Sequence, residues 1–372
     1  MKDKSDADLP YPLKILVVDN LPPWYHGGVQ KVIGETAKLL ACTQNVHVEI
    51  RSGDLESTKS LTWNGISVKT YKTKGWLGYV SLEMLEQLKR DSKKFDILHV
   101  HGSGPFVPLV AALARKDTPL VYSAHYHPLA SSLSRSPVKR VYDRLCNAYI
   151  FKTANKIICV SDTEKSSIQQ RFRVPASLLV TIPNGVDVER IVRARPYDID
   201  YKLVLSVGRL ERHKLNQLTI AAMQYLPLDY RFYMVGTGSY QKKLQAVVQK
   251  LRLEKQIKIL NSCSDDEVYR WLKTCSVVVN LSEIEAFGIT VLEALAAGKG
   301  VIVNDKLGLA ELAHRFTGAV FPVSRTQTEP LKLAELIEKV AATRAEGVDL
   351  HEFTWDRVTQ HLLRVYRDIR QN

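Results

Sequence analysis

Val277-Val-Val-Asn-Leu-Ser-Glu-Ile-Glu-Ala-Phe-Gly-Ile-Thr-Val-Leu-Glu-Ala-Leu-Ala-Ala-Gly-Lys-Gly-Val-Ile-Val-Asn304 reads as a complete strand–helix–strand unit. The run 277–281 is β-branched and apolar, as a strand buried on both faces requires. Gly288 turns the chain, a helical pattern runs from Thr290 to Ala297, and a second buried strand follows at 300–304. Two such strands joined through a helix pair in parallel, so the unit predicts an α/β protein.

The same rhythm extends outward. Upstream lie strands 202–208, 230–236 and 257–260, alternating with helices 215–225, 240–251 and 265–274. Earlier still come strands 14–19, 46–52, 97–101, 120–124 and 157–161, with helices 29–40, 82–93 and 161–172. Between the two series, Ile191–Tyr201 (IVRARPYDIDY) breaks the alternation with a proline and mixed charges, and reads as a linker. The expected organisation is two Rossmann-like domains, 1–195 and 196–353. Residues 354–372 add a carboxyl-terminal helix that could pack back on either half, the first domain being one candidate.

Composition narrows the function classes. With 45% apolar and 24% charged residues, the 372-residue chain is an ordinary globular protein. No apolar run reaches the roughly 18–20 residues of a membrane-spanning helix. The amino terminus lacks the apolar core of a signal peptide, and five cysteines without CxxC spacing argue against a disulfide framework or zinc ribbon. A cytoplasmic protein is expected. The net charge of +13 is uneven: residues 1–195 hold 28 basic and 18 acidic residues, whereas 196–372 hold 24 and 21.

In open parallel sheets, chemistry sits on the loops beyond the carboxyl ends of strands. Three such loops stand out. The helix start near Thr290 offers free N–H groups to an anion, and Glu285 and Glu293 beside it can accept hydrogen bonds from sugar hydroxyls. Glu293 alone would read as an exposed helical glutamate. In Gly208-Arg-Leu-Glu-Arg-His-Lys214, Arg209 and Lys214 place two cations suited to a diphosphate. A solvated basic loop is the plainer alternative. Gly27-Gly28 lets backbone approach a phosphate, or simply makes a tight turn. Val235-Gly-Thr-Gly-Ser239 fails the dinucleotide fingerprint because Gln241 replaces its third glycine. His125 and His127 lack an Asp or Cys companion, so no metal site is expected. His99 and His101 read as satisfying backbone groups at a strand end.

Taken in order, Gly27-Gly28, His99-Val-His-Gly102, His125, Ile182-Pro-Asn-Gly-Val-Asp187, Gly208-Arg-Leu210 with Lys214, Gly236-Thr-Gly238 and Glu285-x7-Glu293 resemble the retaining GT-B glycosyltransferases of family four. Phe353-Thr-Trp355 and Tyr366 resemble that family's closing helix. The resemblance implies a GT-B fold, two Rossmann-like domains facing across a cleft. It implies a retaining, metal-independent hexosyltransferase that takes its sugar from a nucleotide-diphosphate donor, with no cofactor. On the matching positions, Arg209 and Lys214 would hold the diphosphate, Glu285 the donor sugar and Glu293 the ribose. Gly208 and the backbone of Phe287, Gly288 and Ile289 would border the phosphate and sugar. Gly27 and Gly28 would approach from the other domain, His125 would line the reaction centre, and Glu311 would lie near the nucleotide. Leu215 and Gly300 depart from the family, which usually has glycine and proline there.

The basic excess falls in the expected acceptor domain. Arg135, Lys139, Arg140 and Arg144 are interleaved with apolar residues, and Trp76 lies in a second apolar loop. That mixture suits an anionic membrane surface and a glycan or lipid-linked acceptor, with the protein peripheral on the cytoplasmic face. Nucleic acid is not expected, because no aromatic-basic reader motif accompanies the charge. The alternatives are a nucleotide-sugar epimerase and a catalytically silent nucleotide-sugar binder.

Overall fold

The computed structural model describes residues 11–25, 27–73, 81–102, 106–127 and 137–371. The chain divides into two compact units, one of 1–184 with 355–372 and one of 185–354.

The first unit runs β1 (Leu13–Asp19), α1 (Gly28–Cys42), β2 (Val46–Asp54), β3 (Lys59–Trp63), β4 (Ile66–Lys72), α2 (Leu82–Asp91), β5 (Ile97–His101) and α3 (Phe106–Ala114). It continues with β6 (Leu120–Ser123), α4 (Pro137–Thr153), β7 (Lys156–Cys159), α5 (Asp162–Phe172) and β8 (Leu179–Thr181). Its sheet has the order β3-β4-β2-β1-β5-β6-β7-β8, parallel except for the β3–β4 hairpin. That hairpin lies outside the sequence expectation, although Asn64-Gly65 is a strong signal for it. Both residues have positive φ (48° and 79°), the backbone that a two-residue hairpin turn demands.

The second unit holds α6 (Val188–Arg193), β9 (Lys202–Val207), α7 (Asn216–Ala222), β10 (Tyr230–Val235), α8 (Gln241–Lys250), β11 (Ile257–Leu260) and α9 (Asp265–Thr274). It ends with β12 (Val277–Asn280), α10 (Ile289–Ala296), β13 (Val301–Asn304), α11 (Leu307–Arg315), β14 (Val320–Val323) and α12 (Pro330–Ala341). The order β11-β10-β9-β12-β13-β14 is all parallel and reverses direction between β9 and β12. In the first unit the reversal falls between β1 and β5. Such switch points open a crevice at the carboxyl ends of the strands, and the loops that carry the expected site residues of the second unit leave β9 and β12.

The domain boundary expected at 195/196 is displaced. The unit break falls at Asn184–Gly185, and the expected linker is stapled to the second unit. Asp187 caps α6, Ile191 is fully buried, and Arg190 bonds Asp266 at 2.7 Å. Further on, the Tyr197 amide donates to Thr274 Oγ1 at 2.7 Å, and the Tyr197 ring packs 4.1 Å from Trp271. A proline and mixed charges therefore mark an extended strap rather than a free tether. The last helix, α13 (Trp355–Gln371), belongs to the first unit. Its buried Val358, Leu362, Val365 and Tyr366 follow helical spacing and join Ile33, Ala37 and Leu40 of α1 in one core.

Candidate functional site

In the second unit, the loop after β9 is shaped by close backbone approach. Gly208 has φ 139°, a region open to glycine alone. Leu210 N–H donates to Thr237 O at 2.8 Å and Leu210 O accepts from Tyr240 N–H at 2.9 Å, lacing this loop to the one after β10. A Cβ on Gly236 would lie 2.1 Å from Gly208 O, and one on Gly238 would lie 2.3 Å from Leu210 O. The glycines of Val235–Ser239 thus serve loop-to-loop packing, which explains their likeness to a fingerprint they do not complete.

The loop after β12 joins the same place. Glu283 N–H donates to His213 O at 2.9 Å, and Lys214 Nζ meets Glu285 Oε2 at 2.5 Å. The Lys214 ammonium also lies 3.9 Å from the point where Gly208 would carry a Cβ. Two sequence-expected residues, 71 positions apart, are therefore in contact over a third. Arg209 is exposed on the same loop. Burial, then the charges of Lys214 and Arg209, hold the His213 imidazole below its usual pKa, with Glu285 and Glu211 opposing the shift.

Gly288 caps α10 in the left-handed region (φ 100°), where its missing side chain leaves room for Leu309 of α11. Phe287 is buried with its ring 6.1 Å from that of Phe353, so only its backbone can serve the site. Ile289 begins the helix. Glu293 is 5% exposed, and the reading of it as an exposed helical glutamate is corrected. Glu311 is half-buried on α11. Gly308 packs its backbone on Ala286, tying α11 to the Glu285 loop through its N–H to Glu285 O at 3.3 Å. Leu215 adopts φ 54° where the family usually has glycine, a strained residue at the foot of Lys214. At Gly300 a Cβ would sit 2.7 Å from Val340 Cγ1, so packing dictates this departure.

In the first unit, a Cβ on Gly27 would lie 2.3 Å from Gln30 Oε1, so a larger residue there would displace the end of the Gln30 side chain. Gln30 Nε2 in turn donates to Asp19 Oδ2 at 2.8 Å. Burial raises Asp19 to a pKa of about 6. Gly28 differs, since a Cβ there would meet nothing described within 4 Å. Sequence reasoning missed Asp19 and Gln30; the signal was an acid as the last residue of a buried strand, before a glycine pair.

His125 follows β6 with φ 44°. Its Nε2 shares a 3.2 Å hydrogen bond with His101 Nδ1. His99 does not satisfy a backbone group as expected. Its Nε2 pairs with Ser123 Oγ at 2.8 Å and its Nδ1 with Tyr366 Oη at 2.6 Å. The three imidazoles, with Val32, Ile158, Ile182 and Leu362, border a small cavity. Burial keeps all three neutral, with His125 lowered to about 4 and His99 to about 3. Glu164, also missed, accepts from Tyr126 N–H and from Val160 N–H at 2.6 Å. Ser161-x-x-Glu164 has the spacing of a capping box, yet the carboxylate reaches past the cap to these two loops.

Of the expected membrane surface, Trp76 and Arg135 lie outside the described residues, as do the side chains of Lys139 and Arg140. Arg144 is exposed on α4. Among the described residues no helix is long and apolar enough to cross a membrane.

The loops leaving β9 and β12 thus bring Lys214 and Glu285 together at the switch point of a doubly wound α/β sheet. Residues 26–190 match the model described as Glycosyltransferase Family 4, and 187–347 match Glycosyl transferases group 1. The chain belongs to this glycosyltransferase family and has its GT-B fold. It is 26% identical over 284 residues to an uncharacterized glycosyltransferase of Methanocaldococcus jannaschii, covering 75% of this chain and 77% of that one. It is also 26% identical over 261 residues to the N-acetylgalactosamine-N,N'-diacetylbacillosaminyl-diphospho-undecaprenol 4-alpha-N-acetylgalactosaminyltransferase of Campylobacter jejuni, covering 66% and 70%. The structure of Anabaena HepE in complex with UDP and glucose superposes with a TM-score of 0.77 at 20% identity, covering 95% of this chain and 99% of that one.

Proposed function

We propose that the protein transfers a hexosyl unit from a nucleotide-diphosphate sugar to an acceptor hydroxyl, with retention of anomeric configuration and without a metal. The carrying observation is the Lys214–Glu285 contact over Gly208, beside the start of α10. Breaking the anomeric bond leaves charge on the diphosphate. The fixed cations Arg209 and Lys214, with the N–H groups from Gly288 onward, stabilise that charge as it develops. Glu285 accepts hydrogen bonds from the donor sugar, and Glu293 with Glu311 from the nucleoside. Gly28, whose lack of a side chain nothing in the described packing demands, admits a phosphate closely. His125 lines the reaction centre as a neutral imidazole.

With the cations neutralising the leaving group, a leaving phosphate oxygen can take the acceptor's proton as the new bond forms on the same face. No protein nucleophile enters. A panel of UDP-, GDP- and ADP-sugars with polyprenyl-diphosphate and phospholipid acceptors tests the reading. Transfer in EDTA giving a product of the donor's anomeric configuration supports it. Epimerised donor, or binding without turnover, supports the alternatives.

The relatives' names also support a lipid-linked acceptor, reached from the membrane surface. On α4 the exposed Leu145 (66%) and Tyr149 (40%) share a helical face, flanked by Arg144 and Lys152. Flotation with anionic liposomes at low salt tests this, and absence of binding would remove it.

A further inference from the structure

The ring of His125 is held from behind by side chains that the donor site does not use. Its plane lies 21° from that of His101 with centroids 5.5 Å apart, the separation of two rings meeting nitrogen to nitrogen rather than face to face. His101 is itself immobilised: it is buried and lies 4.2 Å, centroid to centroid, from His99. Both nitrogens of His99 are engaged, one by Ser123 and the other by Tyr366 of α13. The backbone of His125 is fixed as well, because the next amide, Tyr126 N–H, donates to the buried Glu164 carboxylate. Nδ1 of His125 has no hydrogen-bond partner among the described residues.

We propose that His101 is a positioning residue for the sugar transfer: it occupies Nε2 of His125 and thereby fixes Nδ1 as the ring atom offered to the reactants. The inference rests on the reading of His125 as a reaction-centre residue. A neutral imidazole carries one N–H, so the shared hydrogen bond couples the tautomers of the two rings, one donating where the other accepts, and fixes the orientation in which His125 presents Nδ1. Outer-layer partners of functional histidines act this way, and losing one typically costs about 10–100-fold. Nothing in the sequence pattern separates His101 from His99; the register does, by ending β5 at His101 beside Ser123, two residues before His125.

The test uses His101→Leu, His101→Asn and His125→Ala in the full chain. Asparagine can place an amide where Nδ1 lies; leucine cannot. His101→Leu should lower kcat by about 10–100-fold with donor KM within about twofold, and His101→Asn should recover most of the loss. Nitrogen-15 spectra should show His125 as one tautomer in the wild type and as a mixture in His101→Leu. Wild-type kcat in His101→Leu, or an unchanged His125 tautomer in that variant, overturns the proposal. His125→Ala separates the two layers. Wild-type turnover there defeats the reaction-centre reading itself, whereas an inactive His125→Ala beside a fully active His101→Leu defeats only the positioning role.

Discussion

The two loop clusters that carry the expected site residues solve opposite problems. The corner around Lys214 and Glu285 is charged and half-exposed, and it is built on unusual backbone: Gly208, Leu215 and Gly288 all have positive φ. The histidine cluster is neutral and held side chain to side chain, with His99 and His101 buried and His125 half-buried at its edge. The charges of Lys214 and Glu285 stay partly in water, where their desolvation cost is reduced. The imidazoles of His99 and His101 are buried among partners, and burial itself disfavours their charged form.

That contrast can be broken experimentally. The largest effect is expected at the charged corner, where Lys214→Ala or Glu285→Gln should lower kcat by about 10²–10³-fold, read from initial rates at saturating donor. Loss there of less than about threefold would show that fixed charge is not what the corner supplies. Gly236→Ala should destabilise the second unit by about 1–3 kcal/mol, because its Cβ collides with Gly208 O at 2.1 Å; urea denaturation measures this.

The neutral cluster gives a pH prediction. His99 and His125 have folded pKa values below the unfolded value of about 6.5, so the unfolded chain binds more protons as pH falls from there toward 4 and 3. They therefore cost stability progressively on acidification. Asp19 and Glu164, raised to about 6 and about 7, act with opposite sign over the upper part of that window. Histidine proton shifts should accordingly show His99 and His125 uncharged at pH 5.5, and titration of either near 6.5 would contradict their burial. The smallest effect is at Leu215. Replacing it by glycine relieves about 1 kcal/mol of left-handed strain but removes packing against the second unit's core, so the net change in thermal midpoint should be within a few degrees.

Much of this was legible in the chain. The βαβ unit at 277–304 and the two-fold repetition of strands follow from pattern and order, while the shared place of Lys214 and Glu285 came from the family resemblance and their direct contact from the structure. Three features were not legible, for physical reasons. The strap 191–201 looks like a linker because its anchors, Thr274 and Trp271, lie three strands and two helices further along the sequence. Glu164 looks like a helix cap because its reach to Tyr126 is tertiary. The roles of His99 and His101 depend on which neighbour each ring meets, and strand alternation alone does not name Tyr366.

The most direct measurement is calorimetric titration of UDP, GDP and ADP into the wild type and into an Arg209→Ala/Lys214→Ala double variant. The account predicts that one diphosphate binds the wild type and that the double variant loses at least about 100-fold in affinity, nearly 3 kcal/mol. Equal affinity in the folded double variant would contradict it.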